Sequence, residues 1–206
     1  MPSLEPVRTL TEAENEQLKR IEQALPEGAR VATYRAVKTH LKAALVTTDL
    51  DGDGKAETIV VHTNQPATDK EPLPQLALSV LTHEGDLIKV RSSTRLADGG
   101  VLFNIDLNGA TAPITVQDVT GDKRPEILVA TGTGASLGGT LQVYTVEGLS
   151  LRQIGSIAGH SFYVRRQSDG NSYKIFARWR DESEVTVYEW NGHSFEQTGK
   201  MNWRDR

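Results

Sequence analysis

The stretch Asp49 to Val61, DLDGDGKAETIVV, constrains the fold of this chain more than any other. Asp49, Asp51 and Asp53 alternate, Glu57 follows four places on, and Gly52 and Gly54 stand where a tight loop needs positive φ without a Cβ. Carboxylates this close repel one another unless a cation sits among them. Hard cations such as calcium take six to eight oxygen ligands at about 2.3–2.6 Å, and a short loop of alternating carboxylates supplies them. The pattern points to a metal site rather than to a reaction. The plain alternative is a solvated acidic hairpin without an ion.

An EF-hand is excluded by position and by flanks. Its twelve-residue loop ends in a bidentate glutamate and lies between two helices. Counted from Asp49, the twelfth place is Val60. The flanks Ala43 to Thr48 and Thr58 to Thr63 are rich in β-branched residues and carry no helical stripe, so the loop joins two strands.

A second copy begins at Asp118, 69 positions after Asp49, and aligns without gaps: DVTGDKRPEILVA. Asp118, Gly121, Asp122 and Glu126 fall on Asp49, Gly52, Asp53 and Glu57, and Ile127-Leu128-Val129 falls on Thr58-Ile59-Val60. Self-similarity at such a spacing predicts a repeat architecture. The copy is degraded. Thr120 offers a hydroxyl in place of a carboxylate, and Lys123 puts a cation and a Cβ where the first loop has Gly54.

Strand, D-x-D-x-D-G-x-x-E, strand resembles the FG-GAP or VCBS-type repeat, best known from the calcium loops of integrin α-subunit propellers, although the Phe-Gly and Gly-Ala-Pro signatures are missing here. The resemblance spans roughly residues 40–200, with its specificity in the loops. It implies that calcium in the first loop is held by Asp49, Asp51, Asp53, Glu57 and the carbonyl of Lys55. In the second it implies Asp118, Thr120, Asp122, Glu126 and the carbonyl of Arg124.

The remainder predicts short antiparallel strands. Gln75 to Leu81 alternates weakly and turns at His83 to Asp86 into Leu87 to Val90; Leu141 to Tyr144 alternates and turns at Glu147-Gly148 into Leu149 to Ile157. A third unit has no acidic loop: Ser161 to Arg165, Tyr173 to Ala177, Glu184 to Trp190 and Phe195 to Thr198, the last two joined through Asn191-Gly192, a strong hairpin signal. The expected fold is all-β, with propeller-like blades of four antiparallel strands in about three units (39–107, 108–158 and 159–206). Propellers close with about four to eight blades. An irregular completion using the N-terminal segment and Val101 to Leu107, an open stack, and a part in a larger chain or oligomer all stay open. So does a sandwich.

Residues 1–38 differ in kind. Thr11 and Glu14 make a capping box, which predicts a helix to about Leu25 that ends at Pro26-Glu27-Gly28. Its thin apolar face, Leu18, Ile21 and Leu25, predicts packing on the β-body or a partner. Thr63 to Pro74, with three prolines, reads as a long loop.

At 206 residues one domain can bury a real core. A net charge of −4 gives no reason to expect nucleic acid or an anionic membrane, and no apolar run reaches the length of a membrane span. No signal peptide is visible at Met1 to Glu5. Calcium chemistry outside the cytosol and the resemblance together favour a secreted or periplasmic protein.

Catalysis has one candidate. Gly134-Ala135-Ser136-Leu137-Gly138 matches G-x-S-x-G, the nucleophile elbow, with His193 and Asp169 or Asp181 following in a permissible order. That elbow needs a helix after the serine, whereas Gly139 to Tyr144 reads as strand. The five histidines show no zinc spacing. Arg165-Arg166 and Arg178-Trp179-Arg180, with Tyr163, Tyr173 and Trp190, suit either a patch for an acidic glycan or peptide or solvated strand faces. The sequence thus favours a non-catalytic, calcium-stabilised β-repeat domain that binds or displays; a Ser136 hydrolase and a glycan or peptide recognition module are the alternatives.

Overall fold

A computed structural model describes residues 11–37, 40–65, 74–97, 100–134, 138–167 and 173–205. The first element is the helix α1 (Glu12–Ala24), capped by Thr11: its side chain accepts from the Glu14 N–H while the Glu14 carboxylate accepts from the Thr11 N–H. A hairpin of β1 (Thr33–Val37) and β2 (His40–Ala43) follows.

Three meanders come next. The first comprises β3 (Leu45–Thr48), β4 (Glu57–Gln65), β5 (Gln75–Glu84) and β6 (Leu87–Arg95). The short strands β7 (Val101–Leu102), β8 (Ile105–Leu107) and β9 (Ala110–Ala112) lead to the second: β10 (Ile114–Gln117), β11 (Glu126–Gly134), β12 (Gly138–Glu147) and β13 (Ser150–Gly159). The third is β14 (Ser161–Arg166), β15 (Tyr173–Arg178), β16 (Glu184–Trp190) and β17 (Phe195–Asn202), followed by a 3-10 turn at Trp203–Asp205.

The chain is therefore mostly antiparallel β with one short helix. The sequence predicts about three four-stranded units, but the described residues form four sheets and no closed propeller. Two causes are visible. The lead-in makes a two-stranded sheet of its own, and the predicted strand Val101 to Leu107 breaks at Phe103-Asn104. Its first half, β7, adds to β11 in the second sheet. Its second half, β8, pairs parallel with β14, so that with β9 the third sheet reaches six strands.

The sheets stack face to face, and alternation along each strand decides which interface a side chain fills. Ile59 and Val61 of β4 meet Ile127, Val129 and Tyr144 in one core. Val60, between them, points to the opposite face and packs with Ile21 of α1 and Leu25, which caps that helix. On β11, Ile127 and Val129 face the first sheet while Leu128 and Ala130 join Phe162, Val164 and Ile175 of the third. This is why Ile59-Val60-Val61 and Ile127-Leu128-Val129-Ala130 are unbroken apolar runs: both faces of these strands are buried. Each of their valine, leucine and isoleucine side chains contributes about 1.5–3 kcal/mol on burial. The resulting order is helix, first sheet, second sheet, third sheet. The outer face of the third is covered by Phe176, Val185 and Val187 with Tyr163, Met201 and Trp203. No helix among the described residues is long and apolar enough to cross a membrane.

Candidate metal centre

The two acidic loops occupy the same place in consecutive sheets. Leu45 pairs with Val60 and Thr48 with Glu57; Ile114 pairs with Val129 and Gln117 with Glu126. The register is identical after the shift along the chain.

The loops also share their hydrogen bonds. In the first, Asp49 accepts from the N–H of Gly52 (2.7 Å) and of Gly54 (2.9 Å), while Glu57 accepts from the N–H of Leu50 (2.9 Å). In the second, Asp118 accepts from Gly121 (2.7 Å) and Lys123 (2.9 Å), while Glu126 accepts from Val119 (2.8 Å). Asp53 takes the Lys55 N–H (2.7 Å) as Asp122 takes that of Arg124 (2.8 Å). The leading aspartate thus ties the turn to itself, and the glutamate at the mouth of the next strand anchors the loop from below. Leu50 and Val119, the residues that donate to those glutamates, are themselves buried apolar pegs.

The first loop brings carboxylates together. Asp49, Asp51 and Glu57 each offer an oxygen within 4.8 Å of the others, with Glu57 buried and both aspartates exposed. Oxygens bound to one calcium lie no more than about 5 Å apart, twice the metal–oxygen distance. The donor set, all hard oxygen, suits the same ion. Asp53 stands outside this trio; its Oδ2 lies 3.8 Å from the exposed Lys55 ammonium. Gly52 and Gly54 have φ of 79° and 83°, which is what allows the loop to fold back on Asp49.

The second loop is arranged differently at its third place. Thr120 Oγ1 donates to Glu126 Oε1 (3.3 Å) and the Thr120 N–H to Oε2 (3.2 Å), so a hydroxyl occupies the position where Asp51 faces Glu57. Burial pushes the Glu126 carboxyl up to about 7, opposed by the N–H groups of Val119 and Thr120 and helped by Asp122 and Asp118. Lys123 holds φ of 72°, a left-handed conformation with a Cβ. Arg124 is exposed. Among the described residues, Asp49, Asp51 and Glu57 form the one trio of metal-capable side chains this close.

Ser136 and Asp169 lie outside the described residues. The element after the G-x-S-x-G stretch is β12, which pairs antiparallel with β11, where a nucleophile elbow needs a helix. The cationic stretch is divided. Arg165 is clamped by Asp106 at 2.8 Å and 2.9 Å, Tyr163 packs tilted against Trp203 with ring centroids 4.3 Å apart, Tyr173 is buried, and Trp190 packs on Phe195. Arg166 is exposed on β14, and the Arg178-Trp179-Arg180 turn lines a separate cleft with Phe103, His160 and Ser161.

Two buried polar groupings escaped sequence reasoning because their partners are far apart in the chain. His62 is fully buried, with Nδ1 donating to the Thr63 carbonyl (3.0 Å) and Nε2 against Ser79 Oγ (2.9 Å), which in turn contacts Ser93 Oγ (2.9 Å). Desolvation lowers the His62 pKa, partly offset by the Thr63 carbonyl. Gln142 accepts from the Ala97 N–H and the Tyr144 hydroxyl and donates to Thr131, whose own hydroxyl donates to the Ala97 carbonyl. No protein-family model and no curated protein matches the chain.

Proposed function

We propose that the chain is a calcium-binding, non-catalytic β-repeat protein of the FG-GAP or VCBS kind, which binds or displays outside the cytosol, at a cell surface or in the periplasm. The observation that carries the reading is the Asp49–Asp51–Glu57 trio, spaced for a common cation at a loop that joins two strands of a buried sheet. The ion cancels repulsion among the carboxylates and holds the β3–β4 connection, which places Leu50 in the core between the first and second sheets. The first loop is the stronger site. The second lacks a carboxylate at its third place, so Asp118, Thr120, Asp122 and Glu126 bind more weakly than their counterparts. The stacked meanders act as the blades of an open array.

Thermal unfolding with calcium and with chelator, on the wild type and on Asp51→Ala, tests this. At free calcium a hundredfold above the dissociation constant one site adds about 2.7 kcal/mol. The expected result is a higher melting temperature with calcium in the wild type and a much smaller shift in Asp51→Ala. An unchanged wild-type melting temperature at millimolar calcium overturns the proposal.

A further inference from the structure

At the far end of β11 from the acidic loop, roughly 25 Å along the strand, lies a cleft of about 280 Å³. It is lined by Phe103, His160, Ser161, Arg178, Trp179 and Arg180. That volume is at the small end for ligand sites, about 300–1,000 Å³, and matches one ring-sized group. The lining combines an aromatic wall, Phe103 and Trp179, with four side chains that carry or donate protons, and among the described residues no carboxylate lines it.

Gly132 and Gly138 account for how the wall is built. A Cβ on Gly138 would meet the Trp179 ring at 2.9 Å and His160 at 3.4 Å; one on Gly132 would meet Phe103 at 2.5 Å. The missing side chains let both aromatic rings lie directly on the β11–β12 backbone. Trp179 is then held edge-on to His160 (5.1 Å, 75°), yet remains 38% exposed, one of three large apolar side chains so open among the described residues. A tryptophan seated against backbone and left uncovered is a preformed stacking surface.

The cations around it are available. Among the described residues neither Arg178 nor Arg180 forms an ion pair, whereas Arg165 and Lys174, on the same sheet, are both paired. Arg178 is steadied by Trp203 (4.9 Å) and by the Glu182 carbonyl (3.0 Å), and so is pre-positioned. The Arg180 N–H donates to His160 Nδ1 (3.3 Å), which ties the turn to that ring. An exposed arginine–carboxylate pair is weak by itself, so charge alone does not make an affinity here; the flat wall supplies the rest.

We propose that this cleft binds a carboxylated sugar, a hexuronate unit of an acidic glycan, with the apolar face of the ring on Trp179 and the carboxylate between Arg178 and Arg180. A glutamate or aspartate of an acidic peptide would satisfy the cations but has no flat face for Trp179. The site is separate from the acidic loops and does not depend on calcium.

Isothermal titration of the full chain with trigalacturonate, maltotriose and hexaglutamate tests this, run with calcium and again with chelator. Saturable binding of trigalacturonate with a dissociation constant on the order of 1 mM or tighter is expected, with no binding of maltotriose. Trp179→Ala and Arg180→Glu should each weaken it at least tenfold while unfolding at the wild-type temperature. Arg180 is exposed, so its variant keeps the test decisive if Trp179→Ala proves unstable. Absence of trigalacturonate binding to the wild type, equal binding by Arg180→Glu, or a preference for hexaglutamate overturns the proposal. Loss of the calcium response with binding intact overturns the metal reading alone.

Discussion

Gly54 and Lys123 are the same position in two loops with two different residues. Both are left-handed, at φ of 83° and 72°, and both donate their N–H to the leading aspartate. Glycine adopts that region freely, while a residue with a Cβ is strained there by about 1 kcal/mol. Nothing lies within 4 Å of a Cβ built on Gly54, so the difference is one of backbone and not of crowding. Lys123→Gly should therefore stabilise the protein by about 0.5–1 kcal/mol, and Gly54→Ala should destabilise it by about 1 kcal/mol. Urea unfolding in chelator measures both; the same sign for the two variants would contradict the strain argument. The third loop place is equally telling. Asp51 adds a carboxylate to a pair that already includes buried Glu57, whereas Thr120 gives its partner Glu126 a proton to accept.

Elements were legible where their causes are local. The Thr11–Glu14 capping box and the Asn191-Gly192 turn each act within a few residues, and α1 and the β16–β17 hairpin lie where these signals place them. In that hairpin Asn191 Oδ1 accepts from the N–H of His193 and of Ser194 (both 2.8 Å), which closes a longer loop than the dipeptide alone suggests. The segment after β6 was not legible. Leu96 enters the first interface while Ala97 is bound to Gln142 of β12, so the chain crosses between sheets on a polar contact that no periodicity reveals. Gln142 is 1% exposed and serves three partners, and removing it takes the acceptor from the Ala97 N–H and from the buried Tyr144 hydroxyl and the donor from Thr131. Gln142→Leu should cost about 2–4 kcal/mol in chemical unfolding. A cost below about 0.5 kcal/mol would show that water replaces it.

For the whole molecule, two buried groups set opposing dependences on pH. Glu126 titrates at about 7 when folded, above its unfolded value near 4.5. The folded state then binds more protons, so this contribution is complete below about pH 4.5 and is lost as pH rises through 7. His62 is lowered from 6.5, so the unfolded state binds more protons and stability is lost as pH falls below 6.5. In chelator, Glu126→Gln should remove the decline between pH 4.5 and 7 and leave the acid loss due to His62. Melting temperatures measured across pH 4 to 8 check this, and an unchanged profile counts against the burial of Glu126. The three meanders show one further likeness: each carries a register shift between its third and fourth strands, at Val80/Leu81, Val143/Tyr144 and Val187/Tyr188. The third has no acidic loop, so what it shares with the others in this respect is a feature of the backbone pairing alone.

What the sequence determined by itself is the set of features whose energetics are settled within a turn or two: the helix cap, the acidic loops with their glycines, the strands with their alternation. What only the tertiary structure decided is how those pieces are shared out. Whether Val101 to Leu107 serves one sheet or two, and whether Arg165, Arg166, Arg178 and Arg180 with Trp179 form one patch or are divided between β14 and a cleft, depends on partners far away in the chain. Each strand can bury its apolar residues against several neighbours at similar gain, and the choice falls to shape and to polar groups such as Gln142, His62 and Asp106, which must find their partners before they can be buried.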